Sequence, residues 1–287
     1  MEDEYWPIAS LRGGLAISQT AAQSGSLPHA LALTELQART PARILTGRAG
    51  AAYRTATWLE LRRDHAAARD AINTELELAR DLGLRFIEQW GLFEVTTLAC
   101  TKAEFLLRPD LGRTFSDEAK VGLGLHCPRG LDIQVAIADG LSATAIRVQV
   151  PVLLPLIAAE VHSRGWRFGR PFFIRHGRVG ILNEIGEILD PTVAVLLIGE
   201  RPGLANAESL SAYMAYRPGP GHNDARRNLI SNIHIRGVSH KQAAFRIAQL
   251  AAQMIQCKTS GVTLKEEWGG KASLPGASVP TLSQSTE

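Results

Sequence analysis

The sequence predicts an α/β fold, a mostly parallel sheet with flanking helices, preceded by a mainly helical N-terminal region. Three observations predict it. The apolar runs "DIQVAIADG", "RPFFIR" and "TVAVLLIG" are short, and each stops at Gly or a charged residue, as buried strands do. Helical patterns lie between them, which is the alternation of a parallel sheet. A long helical pattern, residues 55–82, lies ahead of all three.

In chain order, residues 1–30 mix Gly, Ser and Gln and define no element. Over 55–82, Leu61, His65, Ala68, Ile72, Leu76 and Ala79 form one helical stripe, and Gly83 suits its stop. His65 on that stripe reads as a histidine at a packing edge in preference to a ligand. "GLFEVTTLAC" reads as a short strand, and "LLRPDLGRTFSDEA" as a loop into a helix capped by Ser116 or Asp117. "DIQVAIADG" ends at Asp139-Gly140, and "LSATAIRVQV" then opens a helix that Asp139 or Ser142 caps. Pro151 and Pro155 are expected to bend or restart that helix. "RPFFIR" ends at "HGRVG", "ILNEIGEIL" is a short helix, and "TVAVLLIG" ends at "ERPG". "SAYMAY" and "NLISNIHI" are two more strands. In "SHKQAAFRIAQLAAQMIQCKTSG", Ser239 and Gln242 form a capping box, and Ala243, Ile247, Leu250 and Met254 line one face. The division is a helical region over 1–110, a sheet domain over 111–268 and a Ser/Pro/Gly-rich tail over 269–287, read as disordered.

Composition narrows the function classes. The 287 residues are 45% apolar and 21% charged, with a net charge of +3, too slight to imply nucleic acid. Three widely spaced cysteines, Cys100, Cys127 and Cys257, form no CxxC pair, which argues against a disulfide framework or a zinc site and fits a reducing cytosol. The acidic start "MEDEYWPIAS" is no secretory signal, and no run of about 18 uncharged apolar residues points to a membrane span.

In parallel sheets, ligands bind beyond the carboxyl ends of the strands. "DGLSA", "HGRVG", "GERPG" and "SNIH" all follow strands, so all four are candidates to line one crevice. Chemistry within it is not evident. There is no GxGxxG, GxxxxGK[ST], HExxH or GxSxG, and the eight histidines have no metal-ligand spacing. Asp139 and Glu200 have two readings, a paired acid and base, or a helix cap and a partner for Arg201. Arg226 and Arg227 in "GPGHNDARRN" either meet a phosphate or form a solvated basic loop.

The strings "TPARILTGRAG", "TATWLELRRDHAAARDA", "LLRPDLGRTF", "IQVAIADGLSATAI", "PFFIRHGRVGI", "IGEIL", "VLLIGERPGLANAESLSAYMAY", "ISNIH" and "QCKTSGV" carry a resemblance. Together, from about residue 34 to about 264, they resemble the small subunit of ethanolamine ammonia-lyase. The resemblance implies adenosylcobalamin as cofactor and conversion of ethanolamine into acetaldehyde and ammonia by a radical route. It implies a large TIM-barrel partner subunit that carries the substrate, and a hexamer of heterodimers. For this chain it implies a Rossmann-like domain over 111–268 that holds cobalamin, with 1–110 serving assembly and no catalytic residue of its own. Carried over residue by residue, its cobalamin contacts fall on Val179 in "HGRVG", Glu200 in "GERPG" and Leu229 just before "ISN", where relatives can have cysteine. Ser231 and Asn232 are neighbours by position. The D-x-H-x-x-G motif is absent, in keeping with a base-on cofactor. About thirty residues precede the matching region, without a convincing amphipathic helix. The expected location is therefore the cytoplasm, with a bacterial microcompartment left open through the partner.

Two other classes compete. A nucleotide-binding or regulatory module predicts binding of a small nucleotide without a partner. A nucleic-acid binder using Arg226, Arg227 and Arg236 predicts a concentrated basic face, whereas the charges are mixed along the chain, so neither nucleic acid nor membrane is expected.

Overall fold

The computed structural model describes residues 35–38, 44, 46–204 and 206–266. The tail 269–287 lies outside the described residues. The chain divides after Trp58 into two compact units. The first contains a hairpin of β1 (Arg48–Ala49) and β2 (Ala52–Tyr53) and the start of α1 (Thr55–Asn73).

Helix α1 stops at Asn73 and does not run on to residue 82. The Asn73 and Thr74 side chains donate to the carbonyls of Arg69 and Asp70, both at 2.9 Å, and so end the ladder locally. Glu77 then accepts from the backbone N–H groups of Ala79 and Arg80 and starts a new turn, α2 (Leu78–Asp81). The interruption drops Leu76 into the core, where it is buried. Of the expected stripe, Leu61, Ala68 and Ile72 are half-buried, and His65 is exposed.

After α3 (Leu84–Trp90) come β3 (Glu94–Thr96), α4 (Lys102–Leu107) and α5 (Asp117–His126). The Ser116 side chain caps α5 by accepting from Ala119 N–H. Next are β4 (Ile133–Ala138), α6 (Ala143–Ser163), β5 (Phe172–Arg175), α7 (Leu182–Leu189) and β6 (Val193–Gly199). The last elements are β7 (Leu210–Tyr216), β8 (Asn228–Ile233) and α8 (His240–Cys257). The sheet order is β3-β5-β4-β6-β7-β8. The β3–β5, β5–β4 and β4–β6 pairs are parallel, while β6–β7 and β7–β8 are antiparallel. The sheet is thus mixed, because among the described residues the links 200–209 and 217–227 contain no crossover helix of the kind a parallel return needs.

The helices settle on both faces. α6 and α8 cover one, packing Ile146, Val150, Leu154, Ile247 and Leu250 against Val135, Val195 and Leu197. α5 and α7 cover the other, packing Leu123, Leu182 and Ile185 against Ala136, Ile174 and Leu196. The capping box of α8 is formed, and Ala243, Ile247, Leu250 and Met254 are all buried. α6 runs unbroken through Pro151 and Pro155, without a restart. The carbonyls left without an N–H donor at these prolines belong to Arg147, which is exposed, and to Pro151, which is half-buried, so solvent is near. By length and composition alone α6 could cross a membrane, but ten of its residues are buried in this core, Gln149 among them.

Burial also sorts the thiols. Cys127 is buried and its pKa is pushed up to about 11, while Cys100 and Cys257 are exposed. Two thiols are expected to react with an aromatic disulfide reagent at neutral pH, and the third only on unfolding. Fast modification of all three in the folded protein would contradict this packing.

Candidate functional site

The chain leaves β4 to reach β5 through α6 on one face, and leaves β5 to reach β6 through α7 on the other. The order therefore reverses between β4 and β6, and such a switch point opens a crevice at the strand ends. Two glycines let the backbones meet there. A Cβ on Gly140, whose φ is +54°, would lie 2.5 Å from Gly199 O, and one on Gly199 would lie 2.2 Å from Ser142 O. Leu141 N–H donates to Gly199 O at 3.1 Å, joining the two loops.

A cleft of about 320 Å³ occupies this position. Its walls come from all four strand-end segments: Gly140 and Leu141, Arg178 and Val179, Gly199 to Arg201, and Leu229 with Ser231. Val179, Glu200 and Leu229 thus share one cleft. Alternation explains the selection. Ala194, Leu196 and Ile198 face the α7 side of β6, so Glu200, two residues on, faces the same way. On β7, Leu210, Ala212 and Met214 turn to the α6 side, which leaves Ser211 and Tyr213 for the cleft. Leu229 pairs with Tyr213 and is 45% exposed, an apolar side chain on an open part of the sheet face.

Glu200 is held by the neighbouring strands. Its Oε1 accepts from Ser211 Oγ at 2.7 Å and from Asn232 N–H at 2.8 Å, and its own N–H donates to Ser209 O at 3.0 Å. Asn232 has a left-handed backbone, φ 61°, so Glu200 pins the turn that ends β8. Among the described residues Glu200 makes no ion pair with Arg201, and its Oε2 makes no hydrogen bond. The alternative in which Glu200 merely neutralises Arg201 therefore has no geometric support.

Asp139 lies behind the cleft wall instead of on it. It is buried, accepts from Gly177 N–H at 3.3 Å, and has Lys102 Nζ 4.0 Å away. Lys102 also donates to Gly140 O at 3.1 Å, and it lies over the Phe105 ring with Nζ 4.9 Å from the centroid. Burial pushes the Asp139 carboxyl up and the Lys102 ammonium down, while each one's charge works against the other's shift. His176, left-handed at φ 57°, stacks on Phe105 and donates from Nδ1 to Ala99 O at 2.9 Å. Arg178 covers the other approach to Phe105, 4.0 Å from its centroid, and donates to Phe105 O at 2.6 Å. These groups fix the strand ends on which the cleft rests. Ser142 caps α6, so the capping role read for Asp139 falls to its neighbour. Sequence reasoning missed Lys102 and Phe105, and no local signal marks them, since α4 packs here only through the tertiary fold.

Among the described residues no His, Cys, Asp and Glu group forms a metal site. Of the arginines weighed for nucleic acid, Arg227 is buried and ion-paired with Asp224, which removes it from any basic face.

Apolar Leu141, Val179, Ile198 and Leu229 would take flat apolar surface, while Glu200, Ser211, Ser231 and Tyr213 would meet polar edges. A mixed α/β sheet with an open cleft at its switch point places the chain among α/β proteins with a candidate ligand site at the carboxyl ends of the strands. The family model of ethanolamine ammonia-lyase light chain (EutC) matches residues 31–265, and the chain belongs to that family. It is similar to the ethanolamine ammonia-lyase small subunit of Clostridium acetobutylicum, 40% identical over 233 residues, 81% of this chain and 94% of that protein. The corresponding small subunit of Clostridium perfringens is 41% identical over 234 residues, 82% of this chain and 77% of that protein.

Proposed function

We propose that this chain is the small subunit of an adenosylcobalamin-dependent ethanolamine ammonia-lyase, which turns ethanolamine into acetaldehyde and ammonia. In this reading it holds the cofactor, and a large TIM-barrel subunit carries the substrate and the radical chemistry, the two assembling as a hexamer of heterodimers. The observation that carries it is the convergence of Val179, Glu200 and Leu229 on one cleft at the switch point. Residues 111–268 act as a Rossmann-like cofactor domain, and the region before them serves assembly. The cofactor is bound base-on. A cytoplasmic location goes with this reading, with a microcompartment reached through the partner.

The residues present suit such a group. Val179 and Leu229 offer apolar contact to a ring system, and a contact through the Leu229 backbone does not need the cysteine of relatives. Glu200 Oε2 is available to accept from an amide or a ribose hydroxyl. When bound, adenosylcobalamin supplies the radical through its cobalt–carbon bond. The chain's own part is to orient it and to present it to the partner.

The purified chain alone is expected not to deaminate ethanolamine. Mixed with its large subunit and adenosylcobalamin it is expected to produce acetaldehyde, read by a coupled dehydrogenase. Turnover by the chain alone would overturn this division of roles.

A further inference from the structure

A second cavity, about 270 Å³, adjoins the cleft across the Val179-Gly180 turn. Arg113, Gly180, Asn183 and the loop residues His222, Asn223, Asp224 and Arg227 line it. Its construction is unusual for a surface dimple. The Arg227 side chain is only 4% exposed, yet its buried Nε has no hydrogen-bond partner. The guanidinium is held in place from its other end: Nη2 donates to Asn183 Oδ1 at 2.9 Å and to His222 O at 3.3 Å, and Nη1 pairs with Asp224 Oδ1. Asn183 Nδ2 donates to His222 O at 2.8 Å, which fixes the loop. His222 Nδ1 is likewise buried without a partner. Arg113 lies against Gly180, where a Cβ would come within 2.9 Å of its Cγ and Cδ. Among the described residues Arg113 has no ion-pair partner. The one carboxylate on the wall, Asp224, is 86% exposed and already paired with Arg227.

A buried polar nitrogen without a partner costs free energy, and the two residues that carry one, Arg227 and His222, line one cavity beside a further guanidinium, a set of side chains that matches a bound oxyanion. We propose that this cavity is a phosphate site, in which Arg113, Arg227 Nε and His222 Nδ1–H surround a single phosphate group. Free phosphate and the phosphodiester in the nucleotide loop of cobalamin share that chemistry. The second source rests on the function proposed above and deepens it: the phosphodiester is the anionic group of that cofactor, and the cavity adjoins the cleft. Burial, then Arg226 and Arg227, hold His222 below its ordinary pKa, and an anion in the cavity would relieve the repulsion.

The test uses the complex assembled with the large subunit, as wild type and as Arg113→Met and His222→Leu. Arg113 is exposed and His222 is half-buried, so neither variant removes the Arg227 anchor. Titrations are run with inorganic phosphate, with adenosylcobalamin and with adenosylcobinamide, which lacks the phosphodiester. If the cofactor is the source, adenosylcobalamin affinity falls about tenfold or more in Arg113→Met, while adenosylcobinamide affinity is unchanged. If free phosphate is the source, only phosphate affinity falls by that factor. Unchanged affinity for both phosphate and adenosylcobalamin in both variants overturns the site. Failure of the wild-type complex to bind adenosylcobalamin at all would sink the cofactor reading, while the phosphate titration would still decide the site.

Discussion

Lys102→Met is expected to destabilise the chain by about 3–5 kcal/mol, because it leaves Asp139 buried without its cation. For a domain of this size that corresponds to a fall in melting temperature on the order of 10 °C. The side chains of both residues are almost wholly buried and 4.0 Å apart. Methionine keeps the packing over Phe105 but cannot donate to Gly140 O, so it also loosens the glycine contact between the β4 and β6 loops. The double variant Lys102→Met, Asp139→Asn removes the stranded charge and is expected to recover most of the loss. The pH dependence has a definite sign. Burial already raises the Asp139 carboxyl pKa, and loss of Lys102 raises it further. A group whose folded pKa exceeds its unfolded value penalises the folded state increasingly as pH rises. The deficit of the single variant should therefore be smallest below the ordinary aspartate pKa, about 3.9, grow as pH climbs from there towards the folded value, and level off above it. Thermal melts of both variants across pH decide it. A single variant as stable as wild type at neutral pH would show that Asp139 is protonated in the native protein.

Glu200→Gln is expected to weaken adenosylcobalamin binding by roughly tenfold to a hundredfold while leaving folding and subunit assembly intact. Glutamine retains an oxygen at the Oε1 position, so the bonds from Ser211 Oγ and Asn232 N–H survive. What it loses is the charge and the acceptor Oε2. Glu200→Ala is expected to do more. It strips both bonds, frees the left-handed turn at Asn232, and costs stability of about 1.5–3 kcal/mol beyond the binding defect. The pair of variants separates the two roles of one side chain. Equal cofactor affinity in wild type and Glu200→Gln would leave Glu200 a structural residue that ties β7 and β8 to the end of β6.

Local signals were enough for the local parts. Short apolar runs gave β4, β5 and β6, helical periodicity gave α8, and the Ser116 and Ser239 caps stood where capping chemistry put them. Each of those signals lies within a few residues of the element it specifies, so a linear reading can find it. The crevice was legible for a related reason: parallel strands all end at one edge, so the loops that follow them must meet there. The rest followed from contacts between distant segments. That β7 and β8 return antiparallel depends on links without a crossover helix. That α1 breaks before Leu76 depends on a core position waiting for that side chain. What aims Glu200 is Ser211 and Asn232, eleven and 32 positions away in sequence. Lys102 meets Gly140 across 38 positions, and Arg227 meets Asn183 across 44. No spacing rule connects residues so far apart, because strand order and the choice of helix face set their distance, and those are fixed only when the whole sheet closes over its two cores.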